Sequence, residues 1–144
     1  MLKLILNKKY NPLFSSEARY FIITGGRGSG KSYAVTVFLT LLTMAKGIRI
    51  LFTRFTMTSA HLSIIPEFLE KIGLLGFDEV FSINKAEVLN QSNNSDILFR
   101  GIRTSAGNQT ASLKSLQGIS TWVLDEAEEL VDENIFDTID LSIR

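Results

Sequence analysis

Apolar positions along the chain follow two alternating rhythms. "RYFIIT" (19–24) is an unbroken apolar, β-branched run that stops at Gly25-Gly26, so it reads as a buried strand. After it, Ala34, Val37, Phe38, Leu41, Leu42 and Ala45 recur at helical spacing, and Gly47 is placed to end that helix. "IRILFT" (48–53) is a second strand. Leu62, Ile65, Leu69 and Ile72 predict a second helix ending near Gly73, with Pro66 kinking it or starting its second half. "EVFSI" (79–83) and "DILFRGI" (96–102) read as strands, with "NQSNNS" (90–95) a polar turn. "STWVLDE" (120–126) is a further strand ending in two acids, and "AEELVDENIFDTIDLSIR" reads as helical.

Strands alternating with helices predict an α/β fold, a mostly parallel sheet flanked by helices. In such sheets ligands bind beyond the carboxyl ends of the strands. Both "GGRGSGKSY" (25–33) and the pair Asp125-Glu126 fall at such ends.

Composition narrows the classes. One hundred and forty-four residues make one domain, and 45% hydrophobic content is enough for a core. No apolar run approaches a membrane span, and the N-terminus has no signal-peptide pattern. No cysteine is present, which removes disulfides, cysteine metal sites and thiol catalysis; a single His and no Cys argue against a zinc site. Fifteen basic residues balance fifteen acidic ones, so any DNA contact must come from a local patch.

The glycine stretch has the spacing Gly25-x-x-x-x-Gly30-Lys31-Ser32. This is the pattern of a P-loop NTPase. Glycines at Gly25, Gly26, Gly28 and Gly30 let backbone N–H groups point at phosphate oxygens, and the following helix adds its positive end. Candidate nucleotide contacts are Gly25, Gly26, Arg27, Gly28, Ser29, Gly30, Lys31, Ser32 and Tyr33. In them, Lys31 reaches the β- and γ-phosphates and the Ser32 hydroxyl holds Mg²⁺. Asp125, ending an apolar strand, is the second metal ligand, and Glu126 the base that orients and deprotonates a water. Glu128 and Glu129 read as the acidic first turn of a helix. Arg27 either adds charge against the phosphates or is a solvent-exposed turn residue. "NKAE" (84–87) lacks the final Asp of a guanine-specificity motif and reads as a surface turn. A small-molecule kinase does not explain a Glu directly after the metal Asp.

In order along the chain, "NPLF…RYFIITGGRGSGKSY", "ILFTRFTMTSAHLSII", "ILFRGIRTSAGNQTASLKSLQGIS" and "WVLDEAEEL" resemble the ATPase domain of a bacteriophage terminase large subunit, nearest its prophage-type branch. The pieces run from Asn11 to Leu130, with Arg54 in the family's usual place, and "LKSLQG…WVLDEAEEL" is the most discriminating. The resemblance implies a P-loop NTPase of the additional-strand, catalytic-Glu type. It also implies ATP and Mg²⁺, hydrolysis coupled to translocation of double-stranded DNA into a procapsid, and a homo-oligomeric ring docked on a portal protein. A small terminase subunit, the host cytoplasm and no membrane go with it. Residues 1–144 are expected to be one ATPase domain, incomplete at its C-terminal end and without the family's nuclease domain. In the "LKSL" turn, Lys114 is the candidate to complete a neighbour's site in trans; the alternative is a solvated or DNA-phosphate-contacting lysine. Two other readings stay open. One is a DEAD-box-like helicase or related DNA-dependent ATPase, suggested by "DEAE" and "TR". The other is a nucleotide-binding module without turnover. For the adenine ring, the sequence points to Tyr10, Asn11, Pro12 and Phe14, whose apolar faces can stack or merely pack.

Overall fold

A computed structural model of the chain describes residues 4–57, 60–104 and 107–143. A central sheet runs β2-β3-β4-β1-β6, with β5 paired to β4 off that path. The strands are β1 (Arg49–Thr56), β2 (Phe81–Ile83), β3 (Glu87–Asn90), β4 (Asp96–Thr104), β5 (Gly107–Asn108) and β6 (Thr121–Leu124). The helices are α1 (Pro12–Ser15), α2 (Lys31–Leu42), α3 (Ala60–Leu75), α4 (Thr110–Lys114) and α5 (Glu133–Asp140).

Alternation along β1 sorts the core into two layers. Ile50 and Phe52 face α2 and α3, where they pack with Leu39, Ile64, Ile65, Phe68 and Phe99. Leu51 faces the other way and packs with Leu113 of α4 and Ile139 of α5. The sheet is thus covered by helices on both sides, and the chemistry of each strand end is decided by parity. Phe68 is fully buried, with its ring 6.0 Å from Phe52 and 5.4 Å from Phe99. Burial of one such side chain stabilises by about 1.5–3 kcal/mol.

β1 pairs in parallel with β4 (Ile50 opposite Ile97, Phe52 opposite Phe99) and with β6 (Phe52 opposite Val123). The pairings β2–β3, β3–β4 and β4–β5 are antiparallel. The sheet is therefore mixed where a mostly parallel one was expected. Connections of a few residues at 84–86 and 91–95 cannot cross over the sheet, so they return the chain as hairpins. In the polar turn at 91–95, Asn93 Nδ2 donates to the carbonyls of Thr43 and Met44, both at 3.0 Å, and Ser95 Oγ donates to Ala45 O at 2.7 Å. The C-terminal end of α2 is thereby tied to the start of β4. α2 consequently runs antiparallel to β4, and its N-terminus lies toward the carboxyl ends of β1 and β6.

Three expectations are corrected. Residues 19–24 form no strand: Tyr20, Phe21 and Ile22 are 56%, 40% and 90% exposed. An apolar run becomes a strand only with a neighbour to take its backbone hydrogen bonds. Among the described residues β6 pairs only with β1, and 19–24 pairs with no strand. Instead Tyr20 Oη donates to Asp140 Oδ2 at 2.9 Å, and Arg19 Nη2 lies 3.4 Å from the same oxygen. The C-terminal stretch is helical only in part, a 3-10 turn over Ala127–Glu129 and then α5. Asp132 accepts from Asn134 N at 2.9 Å and so sets the start of α5. Finally, α3 is one helix from Ala60 to Leu75 with Pro66 inside it, so Pro66 does not start a second half.

Candidate functional site

The glycine stretch is a turn that leads directly into α2. Gly30 takes φ +79° as the residue before Lys31, a conformation open to glycine. Gly25 has φ +150°, and a Cβ there would lie 3.0 Å from Ser29 Oγ. Ala34 N donates to Gly30 O at 3.0 Å. The amides of Gly30, Lys31, Ser32 and Tyr33 donate to no backbone carbonyl among the described residues. Four free N–H groups at the positive end of a twelve-residue helix form a cradle for an anion. Lys31 Nζ folds back onto the carbonyls of Gly25 and Gly26. Arg27 and Ser32 are exposed, and Ser29 Oγ is buried without a partner among the described residues.

The acids lie at the same end of the sheet. Val123 belongs to the layer of α2 and α3, and Asp125, two residues on, shares its face. From β1, Arg54 shares parity with Ile50 and Phe52, so it projects to that face too. Arg54 Nε donates to Asp125 Oδ2 at 2.7 Å. Strand alternation would send Glu126 to the opposite side, but its backbone is left-handed at φ +53°. For a residue with a Cβ this costs on the order of 1–2 kcal/mol. The turn brings Glu126 Oε1 to 3.8 Å from Arg54 Nη2. Asp125 and Glu126 thus converge on one guanidinium.

α3 contributes two residues that the sequence reading missed. Lys71 is buried; its Nζ lies 2.9 Å from Glu70 Oε1 and 4.8 Å from the centre of the Tyr33 ring in the first turn of α2. One turn earlier, Glu67 has its carboxyl pushed above the usual range, first by burial, against the pull of Lys71 and with the repulsion of Glu70 and Asp125. Lys71 therefore joins α3 to the first turn of α2 through Tyr33. A lysine at 71, beside Phe68 and Ile72, breaks the apolar stripe of α3, and that was the available signal.

Among the other candidates, Lys114 is exposed at the end of α4, on the opposite side of the sheet from Asp125, and so does not join this cluster within one chain. Tyr10 is buried and Phe14 stacks edge-on against Phe38 at 5.2 Å, so the two aromatic candidates for the adenine ring are engaged in packing. The pocket of about 410 Å³ lined by Phe55, Arg103, Val131 and Ile135 is separate from the loop and the acids. No helix among the described residues is long and apolar enough to cross a membrane.

The donor set fits a magnesium nucleotide. Free amides and a lysine suit phosphate oxygens. A hydroxyl at Ser32 and a carboxylate at Asp125 are the hard oxygen ligands magnesium takes. A search of curated proteins found no match. A family model described as phage terminase large subunit matches residues 17–144, a span that contains the glycine loop, Arg54 and both acids. By that match the chain belongs to the phage terminase large subunit family, which implies a role in DNA packaging and, in general, DNA, portal and small-subunit partners.

Proposed function

We propose that residues 1–144 carry a P-loop ATPase domain, the motor part of a DNA-packaging terminase. The observation that carries this reading is the placement of the free amides at the start of α2 and the Asp125–Glu126 pair at one end of one sheet. A bound magnesium ion supplies charge neutralisation for the β- and γ-phosphates. The chain's own residues do the rest. The amides of Gly30 to Tyr33 and the side chain of Lys31 bind phosphate oxygens. Lys31 exchanges its contacts with Gly25 and Gly26 carbonyls for that anion. Ser32 and Asp125 would hold the metal ion. Glu126, turned onto the face of Asp125 by its left-handed backbone, takes the proton of the attacking water. Arg27, exposed in the loop, is free to approach the phosphates. Titrating the chain with a fluorescent ATP analogue tests the reading: saturable, magnesium-strengthened binding displaced by ATP is expected, and no binding overturns it.

The working motor is proposed to be a ring acting on double-stranded DNA at a portal. Lys114, exposed at the end of α4, is proposed to complete a neighbour's site. Mixed rings of Lys114→Ala and Glu126→Gln subunits then recover part of the hydrolysis that each homogeneous ring lacks. Rings proven mixed that recover nothing remove the trans role.

A further inference from the structure

The loop over 25–30 has little of its own to hold it. Within it the one backbone hydrogen bond among the described residues, Ser29 N to Gly26 O, is long at 3.3 Å. Among the described residues the segment before it pairs with no strand. Support comes from the lead-in. Tyr10, at the end of a 3-10 turn over Lys8–Tyr10, is only 6% exposed. Its hydroxyl donates to Ser29 O at 2.9 Å across nineteen residues of sequence. Its ring lies against the next residue: a Cβ at Gly30 would be 3.9 Å from Tyr10 Cε2. Lys9 Nζ covers the ring 4.9 Å from its centre.

A trans peptide is planar, so its C=O and N–H point in opposite directions. Fixing the Ser29 carbonyl toward Tyr10 therefore fixes the Gly30 N–H away from it. That amide is one of the four free donors at the start of α2. Gly30, without a Cβ, has the widest choice of peptide orientations, so an outside hydrogen bond has most to select here. We infer that Tyr10 is a positioning residue for the phosphate loop, its buried hydroxyl holding the Ser29–Gly30 peptide so that the Gly30 N–H stays presented to a bound phosphate. This rests on the ATPase reading above and adds to it a residue whose ring is unavailable for stacking.

Tyr10→Phe tests it, because the ring and its packing stay and only the donor goes. In the nucleotide-free protein, amide hydrogen exchange at Ser29, the loop amide that has a backbone partner in Gly26 O, is expected to accelerate about threefold to tenfold, the equivalent of one neutral hydrogen bond. Affinity for the fluorescent ATP analogue is expected to weaken by a similar factor. Thermal unfolding is followed in parallel. A lower melting temperature with unchanged loop exchange and unchanged affinity overturns the inference, since a merely structural tyrosine gives that result. Should Tyr10→Phe fail to fold, Tyr10→Leu, which keeps an apolar body and offers no donor, is measured by exchange in the same way; parental loop exchange there also overturns it. If the parent binds no nucleotide, the ATPase reading fails, while the exchange result still decides whether Tyr10 orders the loop.

Discussion

Glu126→Gln lowers ATP hydrolysis by about 10²–10⁴-fold while nucleotide affinity stays near that of the parent, the range expected when a general base is removed. The substitution keeps side-chain length and shape, so the left-handed turn at φ +53° is asked of a residue of the same bulk. The lost group is the charge that lies 3.8 Å from Arg54 Nη2. Arg54 retains Asp125 at 2.7 Å, so the carboxylate proposed to hold the metal stays in place. The measurement is steady-state hydrolysis in the full motor with DNA and portal present, beside equilibrium binding of the ATP analogue. Near-parental turnover with normal binding would reduce Glu126 to the residue that opens the 3-10 turn over Ala127–Glu129.

Lys31→Ala abolishes binding of magnesium ATP and leaves the fold unchanged. Among the described residues the Lys31 ammonium hydrogen-bonds to the carbonyls of its own loop, Gly25 and Gly26. Removing it costs no core packing, since the helix it opens is held by Ala34, Val37 and Leu39 further along. On the proposed reading it does remove the lysine that would bind the β- and γ-phosphates. Calorimetric titration together with circular dichroism checks both halves. A folded Lys31→Ala protein with parental affinity would refute the assignment of the loop.

The sequence by itself determined the elements whose signal is local. The strand at β1, the helix after the glycines, the strand at β6 and the turn at 91–95 were legible from apolar runs, periodicity and turn residues, because each is fixed by neighbours a few positions away. The glycine–lysine–serine spacing and the terminal Asp125 were legible for the same reason: strand end and helix start are local events. Tertiary structure decided what depends on a partner. Residues 19–24 have the composition of a strand but, among the described residues, no strand to bond, so they form none and leave Tyr20, Phe21 and Ile22 exposed. The sheet is mixed because short connections force hairpins, whereas the sequence pattern marks strands without their direction. Tertiary packing alone placed Tyr10 under Ser29, nineteen residues away, and Lys71 over Tyr33. The convergence of Asp125 and Glu126 on Arg54 needed a backbone turn that strand alternation does not supply. A side chain's reach is set by the face it leaves from, and that face is fixed only when the strands have chosen their neighbours.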